Sequence, residues 1–253
     1  MSRLALISDI HGNVVALDVV LADLAHRDEI DGIVCLGDVA AGGPQPGEVI
    51  ARLRALECQV VRGNADRWLL EGLPPGRGEE TRRLGAIVDW ARGTLAADDL
   101  DYLAALPSML NVAAGGVSLV CFHGSPRSDV EPLLATTSDR ELDEALTGTP
   151  AAGVFAGGHT HQQLLRRHGE RLLINPGSVG LPLGSLAGTD QPLPAWAEYA
   201  LVESDGSKVE IAFRRIPIDA ATLAAQTEAM PHAGAWARDL HRRIERWNAR
   251  AAA

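Results

Sequence analysis

The sequence predicts an α/β fold, because short apolar runs alternate with segments of helical periodicity. Arg3 to Ser8 and Gly32 to Leu36 are apolar runs of the length expected for buried strands. Between them, Asn13 to Arg27 carries apolar residues at helical spacing. A strand, a helix and a second strand in this order are typical of a parallel sheet, in which ligands bind beyond the carboxyl ends of the strands.

The first half of the chain continues this alternation and then becomes helical. Glu48 to Leu56 is predicted to be a helix and Cys58 to Arg62 a third strand. The segment from about Asp66 to Leu106 has a helical pattern interrupted by Pro74 and Pro75. We therefore expect a small helical cap of two or three helices, inserted at about residues 66–106.

The second half is richer in strands. A hairpin is expected with strands at Ser108 to Ala113 and Val117 to Phe122, turned at Gly115-Gly116. Further elements are a helix at Ser138 to Leu146 and strands at Gly153 to Ala156, Arg171 to Ile174, Ala195 to Glu203 and Lys208 to Ile216. Gly180 to Pro194 is rich in glycine and proline and predicts a long loop, and helices at about Ala220 to Ala229 and Gly234 to Ala249 end a single domain of residues 1–253.

The charge of the chain narrows the classes of partner. A net charge of −10 with no basic block disfavours an extended nucleic acid as ligand. No apolar stretch approaches the length of about 20 residues that spans a bilayer, and Asp9 interrupts the first apolar run. We expect no membrane partner and a cytoplasmic location. Small phosphorylated substrates remain compatible with the charge, because bound divalent cations would reverse the local field.

Seven oxygen and imidazole donors stand where apolar runs give way to glycine and polar residues. They are Asp9, His11, Asp38, Asn64, His123, His159 and His161. A dinuclear hydrolytic site needs a bridging carboxylate, terminal donors on each metal and open positions for water and phosphate. Asp38 is the candidate bridge because it directly follows a strand at the centre of the proposed sheet. Mixed imidazole and carboxylate ligation favours Mn, Fe, Zn or Ni over Ca.

These residues form serial blocks that resemble those of the calcineurin-like metallophosphoesterase superfamily. The blocks are Asp9-x-His11, Gly37-Asp38, Gly63-Asn64, His123 and Gly158-His159-x-His161, and they cover the chain from residue 3 to about 180. Asp9-Ile10-His11-Gly12-Asn13, Gly158-His159-Thr160-His161 and Asn175-Pro176-Gly177-Ser178 are most similar to the bacterial and archaeal branch of YfcE-type phosphodiesterases. The resemblance implies a four-layer α-β-β-α sandwich, with two mixed sheets flanked by helices.

The resemblance also implies how the donors are shared. One metal would take Asp9, His11, Asp38 and His161, and the other would take Asp38, Asn64, His123 and His159. A metal-bridging hydroxide would be the nucleophile, so that Asp38, Asn64 and His123 are the candidate catalytic residues. Two divalent transition-metal ions are implied as cofactors, with manganese the first expectation.

The third block departs from the pattern of many family members. It reads Gly63-Asn64-Ala65-Asp66, where those members have a histidine thought to protonate the leaving oxygen. Ala65 cannot donate a proton, so alkyl monoesters should suffer most, whereas diesters or esters with acidic leaving groups tolerate the loss better. Another side chain or a metal-bound water could also supply the proton. We expect Asp66 to orient a metal-ligating histidine.

Four residues are candidates for contact with substrate: Asn13, Asn64, Asn175 and Ser178. Each has a structural alternative except Asn64, which is also a predicted metal ligand. For Asn13, capping the helix that it begins is the favoured interpretation. Asn175 and Ser178 could instead hold the histidine loop in place.

The leading functional prediction is a metal-dependent phosphodiesterase acting on a small or nucleotide-like phosphate ester. A phosphomonoesterase or a dinucleoside-polyphosphate hydrolase is the alternative within the same chemistry. A non-catalytic scaffold is a third reading, since a retromer subunit of this superfamily keeps the fold without the chemistry. The complete set of ligands weighs against the scaffold. The C-terminal helices and an edge strand could form a homodimer interface.

Overall fold

A computed structural model of the chain describes residues 1–27, 29–182, 193–228, 242–247 and 249. The predicted loop at Gly180 to Pro194 and the last predicted helix at Gly234 to Ala249 lie largely outside these residues. No helix in the described part of the chain is long and apolar enough to cross a membrane.

The predicted elements occur in the predicted order, and a strand at Leu164–His168 is additional to them. The strands of the described residues are β1 (Ser2–Ile7), β2 (Gly32–Cys35), β3 (Gln59–Val60), β4 (Met109–Ala114), β5 (Val117–Phe122), β6 (Val154–Ala156), β7 (Leu164–His168), β8 (Arg171–Asn175), β9 (Trp196–Ser204) and β10 (Val209–Pro217). The helices named within the same residues are α1 (Val14–Ala25), α2 (Pro46–Ala55), α3 (Asn64–Glu71), α4 (Glu79–Thr94), α5 (Ala97–Ala105), α6 (Asp139–Ala145) and α7 (Ala220–Glu228), and residues 242–247 are also helical.

The strands form two five-stranded sheets. The first has the order β10-β9-β1-β2-β3 and the second the order β4-β5-β6-β8-β7. Strands β1, β2 and β3 are parallel, as are β5, β6 and β8. The remaining neighbours in each sheet pair antiparallel, including β9 with β1 and β4 with β5. Both sheets are therefore mixed, as expected.

Side-chain alternation along the strands builds three cores. In β1, Ala5 and Ile7 face a core shared with α1 and α2, whereas Leu4 and Leu6 face a core between the two sheets. In β5, Leu119 and Cys121 enter that same central core, whereas Val120 and Phe122 face α6. The result is a four-layer sandwich of helices, two sheets and helix, which confirms the predicted architecture.

The segment predicted as a cap forms the three helices α3, α4 and α5. Their buried residues Leu69, Val88, Ala91 and Leu103 belong to the core that α1 and α2 cover. Helix α3 begins at Asn64, directly after the third strand of the parallel set. The insertion thus extends the helical layer of the first sheet.

Candidate metal centre

The seven predicted donors follow strand ends, and most of them have an unusual backbone conformation. Within the described residues, positive φ in a non-glycine residue occurs at Asp9 (54°), His11 (50°), Asp38 (55°), His159 (67°), His161 (56°) and Glu57 (49°). A side chain rarely adopts this left-handed conformation, and such strain concentrates at functional sites. All but Glu57 are predicted ligands, so the strain is confined almost entirely to the candidate centre.

The loops that carry these residues lie very close together. A Cβ atom at Gly63 would stand 2.1 Å from Oδ1 of Asp38, and one at Gly158 would stand 2.0 Å from Oγ of Ser8. Only glycine allows the backbones to approach this closely. The glycines of the sequence blocks therefore make room for the neighbouring ligand loops.

One cluster of donors consists of Asp9, His11 and His161. Oδ1 of Asp9 lies 3.2 Å from Nε2 of His161 and 3.9 Å from Nε2 of His11. The two imidazole Nε2 atoms are 3.1 Å apart. The other carboxylate oxygen of Asp9 accepts a hydrogen bond from the main-chain N–H of His159 at 3.1 Å. All three donors are buried, with their ligand atoms within 4.8 Å of one another.

A second cluster joins Asp38 to His123, Asn64 and His159. Nε2 of His123 lies 3.3 Å from Oδ2 of Asp38 and 3.0 Å from Oδ1 of Asn64. The same end of the Asn64 amide is 2.8 Å from Nδ1 of His159. Turning this amide over would let its nitrogen donate hydrogen bonds to both imidazoles, whereas a metal would be bound through the oxygen. The four side chains therefore lie close together, and Asp38 and His123 also form a possible metal-binding group with Asp9. The assignment of all four to one metal stays a prediction.

Asp38 faces both clusters. Its Oδ2 is 3.8 Å from Nε2 of His11 in the first cluster and 3.3 Å from Nε2 of His123 in the second. This position is the one expected of a carboxylate that bridges two metals.

Backbone carbonyls orient three of the four histidines. Nδ1 is 2.7 Å from the carbonyl oxygen of Ala41 in His11, 2.7 Å from that of Leu36 in His123 and 2.9 Å from that of Leu181 in His161. Because Nδ1 donates its hydrogen to the carbonyl, the neutral ring presents the lone pair of Nε2 to the centre.

The donor set fits bound metal ions better than it fits an empty hydrogen-bonding network. In the neutral tautomers that donate Nδ1–H to these carbonyls, the Nε2 lone pairs of His11 and His161 would face each other across 3.1 Å. Oδ1 of Asp9 is buried and has no hydrogen-bond partner among the described residues. Buried polar atoms without partners are rare in folded proteins. Coordination to metal would satisfy all of these atoms.

The electrostatics of the centre also favour cations. Burial lowers the pKa of His123, but the carboxylates of Asp38 and Asp9 outweigh this effect and raise the pKa to about 10. For His161, burial is likewise outweighed by Asp9, and its pKa is raised. Burial would raise the pKa of Asp38, but the imidazoles around it lower it. The two buried carboxylates thus require positive charge beside them, which metal ions would supply.

Comparison with known proteins identifies the family. The calcineurin-like phosphoesterase superfamily domain matches residues 2–201 of the chain. The chain belongs to this family. An uncharacterised protein of Methanocaldococcus jannaschii is 29% identical over 236 residues, which cover 83% of this chain and 86% of that protein.

Solved structures agree with this assignment. A metallophosphoesterase from Sphaerobacter thermophilus is 27% identical, with a TM-score of 0.71 over 96% of this chain and 99% of the other. A hypothetical protein from Pyrococcus horikoshii OT3 is 21% identical, with a TM-score of 0.75 over 95% of this chain and 98% of the other, and supports the fold. The superfamily predicted from the motifs is confirmed. Membership supports a hydrolase of phosphate esters and implies divalent metal ions.

The role expected for Asp66 in this metallophosphoesterase is corrected by the structure. Its carboxylate accepts main-chain hydrogen bonds from Asp38 and Val39 at 2.9 Å and from Gly63 at 3.0 Å. Burial, followed by the charge of Asp38, raises its pKa to about 6. Asp66 therefore holds the loop of Asp38 against the loop of Gly63, and it orients the carboxylate ligand rather than a histidine.

Asn13, Asn175 and Ser178 use their polar atoms within the fold. Asn13 caps α1 by accepting from the N–H of Ala16 at 3.0 Å. The amide of Asn175 donates to the carbonyl oxygen of Gly158 and, at 3.1 Å, to Oγ1 of Thr160, and it accepts from the N–H of Gly177 at 2.9 Å. The hydroxyl of Ser178 donates to the carbonyl oxygen of Asp9 at 2.7 Å and accepts from the N–H of Leu181 at 2.8 Å. These contacts favour the capping and loop-holding interpretations, and contact with substrate stays a prediction.

A cavity of about 340 Å³ opens beside His123, and the motifs did not reveal it. Its lining includes three arginines, Arg62, Arg67 and Arg127, together with Asp129. Arg62 and Arg67 flank the Gly63-Asn64 block, so the sequence itself places them near the candidate metal centre. Their convergence with Arg127 was not, because it depends on how the loop after β5 folds back.

Proposed function

We propose that the protein is a metal-dependent phosphodiesterase with a dinuclear centre, acting on a small or nucleotide-like phosphate ester. The observation that carries the proposal is the convergence of the predicted donors: Asp9, His11, Asp38, His123 and His161 form possible metal-binding groups, and Asn64 joins His123 to His159 beside them. Five of the seven predicted donors have strained backbone conformations. Strain of this kind persists where the surrounding structure enforces a functional geometry.

The residues divide between two ions in a manner that the two clusters support. Asp9, His11 and His161 would hold one ion, and Asn64, His123 and His159 the other, with Asp38 shared. When bound, the ions supply activation of water and neutralisation of the charge on the phosphoryl group. The backbone carbonyls of Ala41, Leu36 and Leu181 keep three imidazoles in the tautomer that can coordinate.

The proposed preference for a diester rests on Ala65, which stands where many family members have a proton-donating histidine. Ala65 is completely buried, and its N–H donates to Oδ1 of Asp38 at 2.8 Å. Asp129 is the carboxyl group in the lining of the adjacent cavity, and Arg67 binds both of its oxygens at 2.6 and 2.9 Å. Both oxygens of Asp129 are therefore engaged by Arg67, so leaving groups that need no protonation should be favoured.

The test compares bis-p-nitrophenyl phosphate with p-nitrophenyl phosphate, with added Mn²⁺ and with EDTA. We expect turnover that requires metal and favours the diester. His159→Ala should lower kcat/KM by on the order of 100-fold or more, because it removes a ligand. His26→Ala is the matched control, since His26 is an exposed histidine at the end of α1, and it should retain full activity.

Each other outcome points to a defined alternative. A preference for the monoester would mean that the enzyme is a phosphomonoesterase; it would say nothing about a proton donor, because both esters release p-nitrophenolate, which leaves without protonation. Bound metal without turnover of either ester would favour the non-catalytic scaffold, although the ligand set is complete. Equal activity of His159→Ala and the unaltered protein would exclude the proposed centre.

A further inference from the structure

The cavity beside His123 contains an arginine without a counter-ion. Arg62 is half-buried, and its guanidinium forms no ion pair or hydrogen bond with another residue in the described part of the chain. Its main-chain N–H donates to the carbonyl oxygen of Pro107 at 2.7 Å, which fixes the backbone two residues before the ligand Asn64. The side chain therefore stands at a defined place next to the centre.

The other two arginines of the cavity are already paired. Both oxygens of Asp129 bind Arg67. Arg127 binds Glu131, with Nε 2.9 Å from Oε2. Their donors are largely engaged by protein carboxylates, whereas those of Arg62 remain available. Arg62 is thus the group in this cavity that can take an anion from solution.

An available cation here is notable in a chain whose net charge is −10. Burying part of a charge costs free energy unless the charge is paired. The chain has many acidic residues, yet none of those described pairs with Arg62. Guanidinium also matches the geometry of phosphate oxygens, which it can bind through two parallel N–H donors. A phosphate is therefore the anion that best suits this position.

We propose that Arg62 binds a second phosphate of the substrate, so that the substrate carries at least two phosphate groups. One would lie at the metal centre and the other in the cavity beside His123. This inference rests on the proposed function, because it takes the metal centre as the place where the scissile phosphate binds. It narrows the substrate class from phosphate diesters in general to diesters that bear a further phosphate.

The test uses two substrates that differ by one phosphate, thymidine 5′-(p-nitrophenyl phosphate) and its 3′-phosphorylated form. Both release p-nitrophenolate, so the chemistry at the cleaved bond is the same. We expect a higher kcat/KM for the 3′-phosphorylated ester. Arg62→Ala should reduce the ratio of the two kcat/KM values by about 10-fold to 100-fold, as expected for a lost charge-assisted hydrogen bond.

Two variants sharpen the result. Arg62→Lys keeps the charge but loses the planar fork, and it should give an intermediate ratio. Arg77→Ala removes the same charge from an exposed arginine outside the cavity, and it should leave the ratio unchanged. Equal kcat/KM for both esters, or an equal loss on both in Arg62→Ala, would overturn the inference.

Binding separates this inference from the proposed activity. Titration calorimetry of the manganese-loaded protein compares thymidine 3′,5′-bisphosphate with thymidine 5′-monophosphate. Tighter binding of the bisphosphate that disappears in Arg62→Ala would support the second phosphate site even if no ester is hydrolysed. Equal binding of both nucleotides would overturn it, whatever the activity.

Discussion

Five of the donors occupy left-handed backbone conformations, each of which costs a non-glycine residue about 1 to 3 kcal/mol. Hydrogen bonds from residues that bind no metal offset this cost. Asp66 ties the loop of Asp38 to that of Gly63, and Ser178 ties the loop of Asp9 to the chain after β8. Asn175 does the same for the histidine loop. The geometry of the centre therefore depends on these three side chains as well as on its ligands.

Asn175→Ala tests this dependence. The variant keeps every ligand but releases the carbonyl of Gly158 and the hydroxyl of Thr160. We expect the Kd for Mn²⁺ to rise by about 10-fold to 100-fold, the range typical of residues that orient metal ligands. Titration calorimetry measures it, with Asn111→Ala on the exposed face of β4 as the control. An unchanged Kd would show that the histidine loop keeps its conformation without the hydrogen bonds of Asn175.

The sequence predicts the metal ligands better than it predicts the side chains that hold the ligand loops in place. Asp38 and the histidines follow apolar runs in an order that only a strand-end site explains. The contacts of Asp66 could not be predicted, because they depend on the approach of two loops at Gly63, where the backbones nearly touch. In the sequence, Arg62 ends the predicted strand Cys58 to Arg62 and has the pattern of an ordinary surface arginine. Its availability emerges only when the partners of Arg67 and Arg127 are known.

At the scale of elements, periodicity identifies most strands and helices, β7 excepted, but it leaves open the surface against which each of them packs. The hairpin of β9 and β10 is readable from its apolar alternation and turn. The antiparallel pairing of β9 with β1 turns a parallel sheet into a mixed one. This pairing cannot be predicted from the sequence, because any exposed sheet edge could accept the hairpin. The helical pattern at about residues 66–106 likewise predicts helices, whereas their packing beside α1 and α2 depends on tertiary contacts.

Helix α4 contains a glycine that the fold does not require. A Cβ atom at Gly85 would meet no atom within 4 Å. We expect Gly85→Ala to raise the free energy of unfolding by about 0.5 to 1 kcal/mol, because alanine loses less backbone entropy in a helix. Urea denaturation monitored by circular dichroism measures it. Gly158→Ala is the contrasting variant and should destabilise, since its Cβ would collide with Ser8. A loss of stability in Gly85→Ala would mean that α4 packs differently.

Over the whole molecule, the candidate centre lies where the two sheets meet. Asp9, Asp38 and Asn64 follow β1, β2 and β3 of the first sheet, whereas His123 and His159 follow β5 and β6 of the second. Neither sheet holds a complete ligand set for either ion. Bound metal would therefore link the two sheets at one edge of the apolar core between them, and this coupling should be visible in the stability of the entire fold.

Metal should raise the melting temperature of the protein in a way that depends on the shared carboxylate. A ligand that binds only the native state at 100 times its Kd stabilises it by about 2.7 kcal/mol. For a chain of this size, that corresponds to about 5 to 10 °C for each site. Calorimetry with Mn²⁺ and with EDTA measures the shift, and Asp38→Ala should abolish most of it because both ions lose a ligand. Asp89→Ala, an exposed aspartate of α4, should keep the full shift. The same shift in Asp38→Ala as in the unaltered protein would place the metal elsewhere and would remove the link between the sheets.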